Sequence, residues 1–164
     1  MPESQPNAQI PANALIAEAA KGSKAAFNRV MNEQAPRLQN IALRMMGNRS
    51  DAEDAVQEAL AAAWFKLASF DLSRPISPWL TRITVNKCRD LLRKRRIRQF
   101  FEFHSDNEAD LTIADDTPDP SAELQARQAL EFMQREITRL PTALREPFVL
   151  VTFGENSQAE AAHI

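Results

Sequence analysis

The residues best suited to chemistry lie between Trp79 and Arg98, in the stretch WLTRITVNKCRDLLRKRRIR. Arg82, Asn86, Arg89, Arg93 and Arg96 recur there at steps of four, three, four and three, the signature of one helix face. A guanidinium donates two parallel hydrogen bonds from a planar fork, a geometry that suits phosphate. An Asn in the same row can donate and accept at a base edge. Lys94, Arg95 and Arg98 carry the positive charge past the end of the row. A second line on the same helix is apolar: Leu80, Thr84, Cys88 and Leu91, widened by Trp79, Ile83 and Leu92. A Lys/Arg-rich helix taken at random is more often a solvated basic face. Cations on one line with an apolar line opposite point instead to a helix that rests on a core and meets nucleic acid.

The elements that must position this helix follow from the rest of the chain. It has 164 residues, enough for one ordinary domain or two small ones, and 44% of them are hydrophobic. Three glycines, no tyrosine and a predominance of Ala and Leu favour helices over sheet. Net charge is only −2, but it is unevenly spread: eight carboxylates and no Lys or Arg fall between Glu102 and Glu123. The single cysteine, Cys88, excludes an internal disulfide and a cysteine-based zinc site, and its place on the apolar line marks it as a small core residue. No apolar run is long enough to span a bilayer and no signal peptide opens the chain. A cytoplasmic protein without membrane insertion is expected.

Met1 to Ala12 is polar, contains three prolines and reads as a disordered tail. A short helix is expected from Asn13 to near Gly22, and a second capped by Ser23 with Phe27, Val30 and Met31 inward. Pro36 should interrupt that helix or start another, which carries Leu38, Ile41, Ala42, Met45 and Met46 to a stop at Gly47-Asn48. Ser50-Asp51-Ala52-Glu53 has the form of a capping box opening a helix to about Leu67. Ala52, Val56, Ala59, Leu60, Ala63, Trp64 and Leu67 form its inner side, and Asp54, Gln57 and Glu58 an acidic and amide patch at an exposed edge. By itself that patch is ordinary helix surface. Phe70 to Pro78 then breaks the periodicity with two prolines, placing the start of the basic helix at Ser77 or Pro78.

DAEDAVQEALAAAWFKL, a short Pro-containing loop and PWLTRITVNKCRDLLRKRR together resemble the core of bacterial sigma factors, most of all the small extracytoplasmic-function group with two folded domains. The resemblance covers roughly Asn13 to Arg98 and again Leu124 to the end. It implies that Asp54, Gln57 and Glu58 dock on a coiled coil of core RNA polymerase. It implies that Phe70, Asp71, Leu72, Ser73 and Arg74, within the loop to Ile76, hold a flipped base of the promoter's −10 element, partly single-stranded. Trp79, Arg82, Asn86, Arg89, Arg93 and Arg96 would then contact that DNA. Trp79 could be wholly core, and Asn86 could read a base or hold a phosphate. Unstacking a base costs a few kcal/mol, which a fitted loop offsets by binding the exposed edge.

Beyond Arg98 the expectation is an acidic flexible linker over residues 99–119, either a solvated tether or a thread toward the polymerase active centre. Phe100, Phe101 and Phe103 could instead pack back on the first domain. Asp119-Pro120 should open an amphipathic helix with Ala126, Leu130, Met133, Ile137 and Leu140 on one side. Pro141 begins the next, which Pro147 could kink, and Ser157-Gln158-Ala159-Glu160 suggests another cap. LPTALREPFVLVTF followed by SQAEAA resembles the first part of the family's second DNA-reading domain, where a helix-turn-helix reads the −35 element. Residues 120–164 are expected to hold that domain cut short, since Ile164 falls within its first motif helix.

The fold expected is therefore all-α, with two small helical domains. The function expected is a non-enzymatic sigma factor, stress-responsive and controlled by an anti-sigma partner that clamps its exposed apolar faces. His104 and His163 lie in unrelated segments, and nothing forms a nucleophile–base pair, a phosphate-binding glycine loop or a metal cluster, so no cofactor or metal is expected. A sigma mimic that only sequesters an anti-sigma factor is the alternative, though it would have no use for the basic stripe. A repressor or activator built on a helix-turn-helix would need the missing recognition helix.

Overall fold

The computed structural model describes residues 12–102 and 122–154, all of whose regular structure is helical. Six α-helices occur among them: α1 (Ala12–Ala20), α2 (Lys24–Met46), α3 (Arg49–Lys66), α4 (Ile76–Glu102), α5 (Ala122–Arg139) and α6 (Thr142–Phe153). A single 3₁₀ turn, Leu67–Ser69, follows α3. The calls on residues 1–11, Phe103, Asp119-Pro120 and the Ser157 cap lie outside the described residues.

Helix α2 is the hub and touches every other one. Ser23 caps it, its hydroxyl accepting from the Ala26 amide at 3.3 Å. Gly47 ends it at φ 82°, a left-handed turn that a side chain disfavours, with its amide on the Leu43 carbonyl at 2.9 Å. Leu38, Ile41, Ala42 and Met45 are buried along its second half, each larger side chain contributing roughly 1.5–3 kcal/mol by leaving water. The expected break at Pro36 does not occur. Pro36 and Asn32, whose carbonyl loses its amide partner, both face solvent, where water can serve that carbonyl, and the helix continues past the proline to Met46 with packed residues on either side.

The start of α3 also differs from expectation. Asn48, not Ser50, is its cap: the Asn48 Oδ1 accepts from the Asp51 amide at 2.8 Å, and its Nδ2 donates to the Asp51 carboxylate at 2.8 Å. Gly47 turns the chain so sharply that the next residue already has the extended backbone a cap needs (φ −141°, ψ 154°), leaving Ser50 exposed inside the first turn. Ala52, Ala55, Ala59 and Ala63 line the inner side of α3, and such small side chains let it lie close to α2 and α4.

Helix α4 begins at Ile76, slightly before the expected Ser77 or Pro78, with Pro78 in its first turn, where a missing amide costs little. It runs to Glu102, so residues 99–102 continue the helix instead of opening the linker. Phe100 and Phe101 are 67% and 69% exposed there. Pro147, exposed like Pro36, does not break α6. The second helical unit docks on the first: Ile137, Val149 and Leu150 belong to the same core cluster as Leu38, Ile41 and Val85. Leu130, Phe132, Leu144, Phe148 and Val151 stay exposed on α5 and α6.

Candidate nucleic-acid and polymerase interface

The register of α4 sets the stripe. Cys88, Leu80, Thr84 and Val85 are buried against the core, and Arg82, Asn86, Arg89, Arg93 and Arg96 emerge on one outer face. From Arg82 to Arg96 the row spans about 21 Å at the helical rise. Arg82, Asn86, Arg93 and Arg96 are exposed and Arg89 is half-buried. Arg93 leans on Asp90 of its own helix at 3.1 Å, an exposed pair of small value. Burial pushes the Cys88 thiol up to about 12, and the Glu146 carboxylate adds to that shift.

The loop before α4 is knotted by one carboxylate. Asp71 Oδ1 accepts from the Ser73 hydroxyl at 2.7 Å and the Ser73 amide at 3.0 Å, and these bonds, with Arg74 nearby, hold its pKa below the ordinary carboxylate value. Arg74 reaches Asp71 Oδ2 at 3.4 Å. Leu72, Ser73 and Arg74 are exposed, whereas Phe70 turns inward onto Trp79, ring centroids 4.8 Å apart. Trp79 is half-buried, packs against the core, and continues the row of Arg82 and Asn86 one step toward the loop.

Asp54, Gln57 and Glu58 are all exposed on the outer face of α3. Glu58 receives Lys87 Nζ of α4 at 3.2 Å, and Arg95 of α4 approaches Asp51 at 3.4 Å. Lys87 lies on a flank of α4 well away from the stripe, about 100° per residue round the axis. The acidic patch and the basic stripe are therefore separate surfaces on adjacent helices. Phe65, 82% exposed, lies on the same face of α3 as Asp54 and Glu58.

Three sets of long-range contacts went unnoticed in the sequence. Arg89 Nε donates to Glu146 Oε2 of α6 at 2.8 Å, its Nη2 makes a close pair with Glu146 Oε1, and its Nη1 donates to Asn86 Oδ1 at 2.7 Å. The hydrogen bonds to Glu146, and its negative charge, raise the pKa of the Arg89 guanidinium above its ordinary value. Arg145 holds the ends of two helices, donating to Met45 O (2.7 Å), Leu140 O (2.8 Å) and Thr138 O. Arg37 donates to Gly154 O (2.6 Å), Ser77 O (2.8 Å) and Thr81 Oγ1 (2.8 Å). The signal for the first two was the charged pair Arg145-Glu146 inside the otherwise apolar run of α6; Arg37 looked like any surface arginine.

Among the described residues no group of His, Cys, Asp and Glu could hold a metal ion, and no helix is long and apolar enough to cross a membrane. Residues 30–97 match the family described as Sigma-70 region 2. The RNA polymerase sigma factor CnrH of Cupriavidus metallidurans is 38% identical over 154 residues, covering 92% of this chain and 80% of the relative. NccH of Alcaligenes xylosoxydans, also named an RNA polymerase sigma factor, is 36% identical over 91% of this chain and 80% of its own. The ECF RNA polymerase sigma factor SigW of Bacillus subtilis is 29% identical over 91% and 82%. The solved structure of CnrH in complex with the cytosolic domain of CnrY superposes with a TM-score of 0.64 at 29% identity, over 92% of this chain and 79% of that one.

Proposed function

Because the chain belongs to the RNA polymerase sigma factors of the extracytoplasmic-function group, we propose a division of labour between its two exposed faces. Asp54, Gln57 and Glu58 on α3 dock on core RNA polymerase. The stripe of α4, with the Asp71–Arg74 turn beside it, engages the −10 element of promoter DNA as its strands part. The chain works in the cytoplasm by binding alone, with no catalysis of its own and no cofactor. Arg82, Arg89, Arg93 and Arg96 supply phosphate contacts, whose strength falls as salt rises. Asn86 supplies a contact at a base edge or at the backbone beside it.

The observation that carries this reading is the separation of the two faces on neighbouring, mutually packed helices, which lets one protein hold polymerase and DNA together. The complex of CnrH with the cytosolic domain of CnrY supports a further element. An anti-sigma protein of that kind would hold this chain inactive until a stress signal releases it, resting on the exposed apolar side chains of α5 and α6. The test is affinity for bacterial core polymerase, comparing the chain with a Gln57→Ala/Glu58→Ala variant. A loss of tenfold or more, about 1.4 kcal/mol, is expected. Equal affinity for the two proteins would refute the docking assignment.

A further inference from the structure

The centre of the basic stripe is already occupied. Arg89 has three side-chain nitrogens, and each donates within the chain: Nε and Nη2 to the two carboxylate oxygens of Glu146, Nη1 to Asn86 Oδ1. A carboxylate fork and a phosphate bind a guanidinium through the same pair of donors, so they exclude one another. Glu146 is well placed to compete, its side chain only 17% exposed against 40% for Arg89. The rest of the stripe is not masked in this way: Arg82, Arg93 and Arg96 remain exposed.

What brings Glu146 to Arg89 is the docking of α5 and α6 on α2 and α4. Much of that contact is polar. Arg37 reaches Gly154 O, Gln134 Nε2 reaches Leu43 O at 2.8 Å, Arg44 reaches Gln134 Oε1 at 2.9 Å and Arg145 reaches Met45 O. Most of the acceptors are carbonyls at or near helix ends, which water can serve when the surfaces part. Among the described residues of the second unit, Ile137, Val149 and Leu150 are buried, and Met133 and Phe153 are partly buried against the same core. Contacts of this composition are those across which neighbouring units move.

We propose that the docked arrangement is a closed state in which Glu146 takes the place of a DNA phosphate on Arg89, so that α6 must leave α4 before the stripe can bind DNA in full. This rests on the assignment of Arg89 as a phosphate contact. It predicts a protein whose DNA affinity is set by an internal equilibrium: a closed form favoured about tenfold lowers the apparent affinity about tenfold.

The experiment uses the full chain and a fluorescein-labelled mixed-sequence single-stranded oligonucleotide at low salt, followed by anisotropy, with X-ray scattering reporting compactness. Glu146→Gln keeps the size of the side chain and removes its charge. It should bind the probe roughly fivefold more tightly, approaching the limit set by the closed fraction, and scatter as a more extended particle. Arg89→Ala/Glu146→Gln, open but lacking the guanidinium, should bind more weakly than Glu146→Gln. In Arg89→Glu/Glu146→Arg the pair is reversed: the compact scattering profile should return while the affinity stays low. Unchanged affinity in Glu146→Gln, with Arg89→Ala/Glu146→Gln weakened, would overturn the closed state and leave the DNA assignment standing. Equal affinity of Arg89→Ala/Glu146→Gln and Glu146→Gln would remove the assignment of Arg89 to DNA and the closed state with it. A reversed pair that stays extended would show that the ion pair is not what holds the units together.

Discussion

Replacing Arg145 by Ala should separate the two helical units or unfold the protein early, and the size of the effect follows from its contacts. The guanidinium donates to three carbonyls, Met45 O at the end of α2 and Thr138 O and Leu140 O at the end of α5. A hydrogen bond from a charged donor is worth about 1.5–3 kcal/mol net when enclosed. Arg145 is half-buried, so water regains part of each site once the side chain is gone. About 1 kcal/mol per carbonyl is the appropriate discount, giving about 3 kcal/mol in all. For a chain of this size that lowers the melting temperature by roughly 6–12 °C. Arg145→Lys tests the geometry separately. An ammonium is a point donor and cannot span three acceptors, so it should recover only about 1 kcal/mol. Urea denaturation followed by far-ultraviolet dichroism and by Trp64 and Trp79 fluorescence would measure both variants. If α5 and α6 leave first, the two signals will not coincide. A stability of Arg145→Ala within about 0.5 kcal/mol of the parent, the range of ordinary surface changes, would refute the bridging role.

Gly47→Ala should be destabilising by more than its backbone strain of about 1–2 kcal/mol, because the new Cβ would stand 2.7 Å from Thr138 Cγ2. Repeating it in a Thr138→Ser background, which lacks that methyl, should leave only the strain, a coupling that a double-mutant cycle on urea midpoints reads directly. Asn48→Ala should cost about 1 kcal/mol and Ser50→Ala almost nothing, whereas a capping box on Ser50 would give the reverse order in thermal melts. Cys88 makes stability depend on alkaline pH. Its thiol ionises near pH 8.5 when unfolded but only near about 12 when folded, through burial first and Glu146 second. The unfolded state therefore loses its proton first, and stability present below about pH 8.5 declines as pH rises, by about 2 kcal/mol at pH ~10. In Cys88→Ala that component of the decline should vanish; an identical slope in the parent and the variant would rule it out.

The helices that the sequence reveals are those whose inner and outer sides differ strongly. The stripe of α4 was legible because arginine and leucine repeat out of phase along one rod, and the structure places the two lines accordingly. The hydrophobic side of α3 was legible for the same reason, as were the ends of α2 at Ser23 and Gly47. Pro36 misled because its orphaned acceptor faces water and the residues on either side are held by packing, and exposure is not visible in local sequence. Ser50 misled because the choice between two competent caps was made by the turn at Gly47. The patch Asp54, Gln57 and Glu58 was meaningful only through family resemblance; periodicity alone made it ordinary surface. Contacts such as Arg89 with Glu146, 57 positions apart, have no local signature at all.

The fork of Arg37 joins two places that the chain keeps far apart. One arm holds Ser77 O and Thr81 Oγ1 in the first turns of α4, where the preceding loop gives way to helix. The other holds Gly154 O, where α6 ends. A single planar group cannot satisfy both sides in two orientations, so the two acceptors are linked through it. Linkage of this kind is symmetric: however much the seated second unit steadies the first turn of α4, an ordered first turn favours that unit's seating by the same free energy. Anything that reorganises the loop therefore acts on the far end of α6 without touching it.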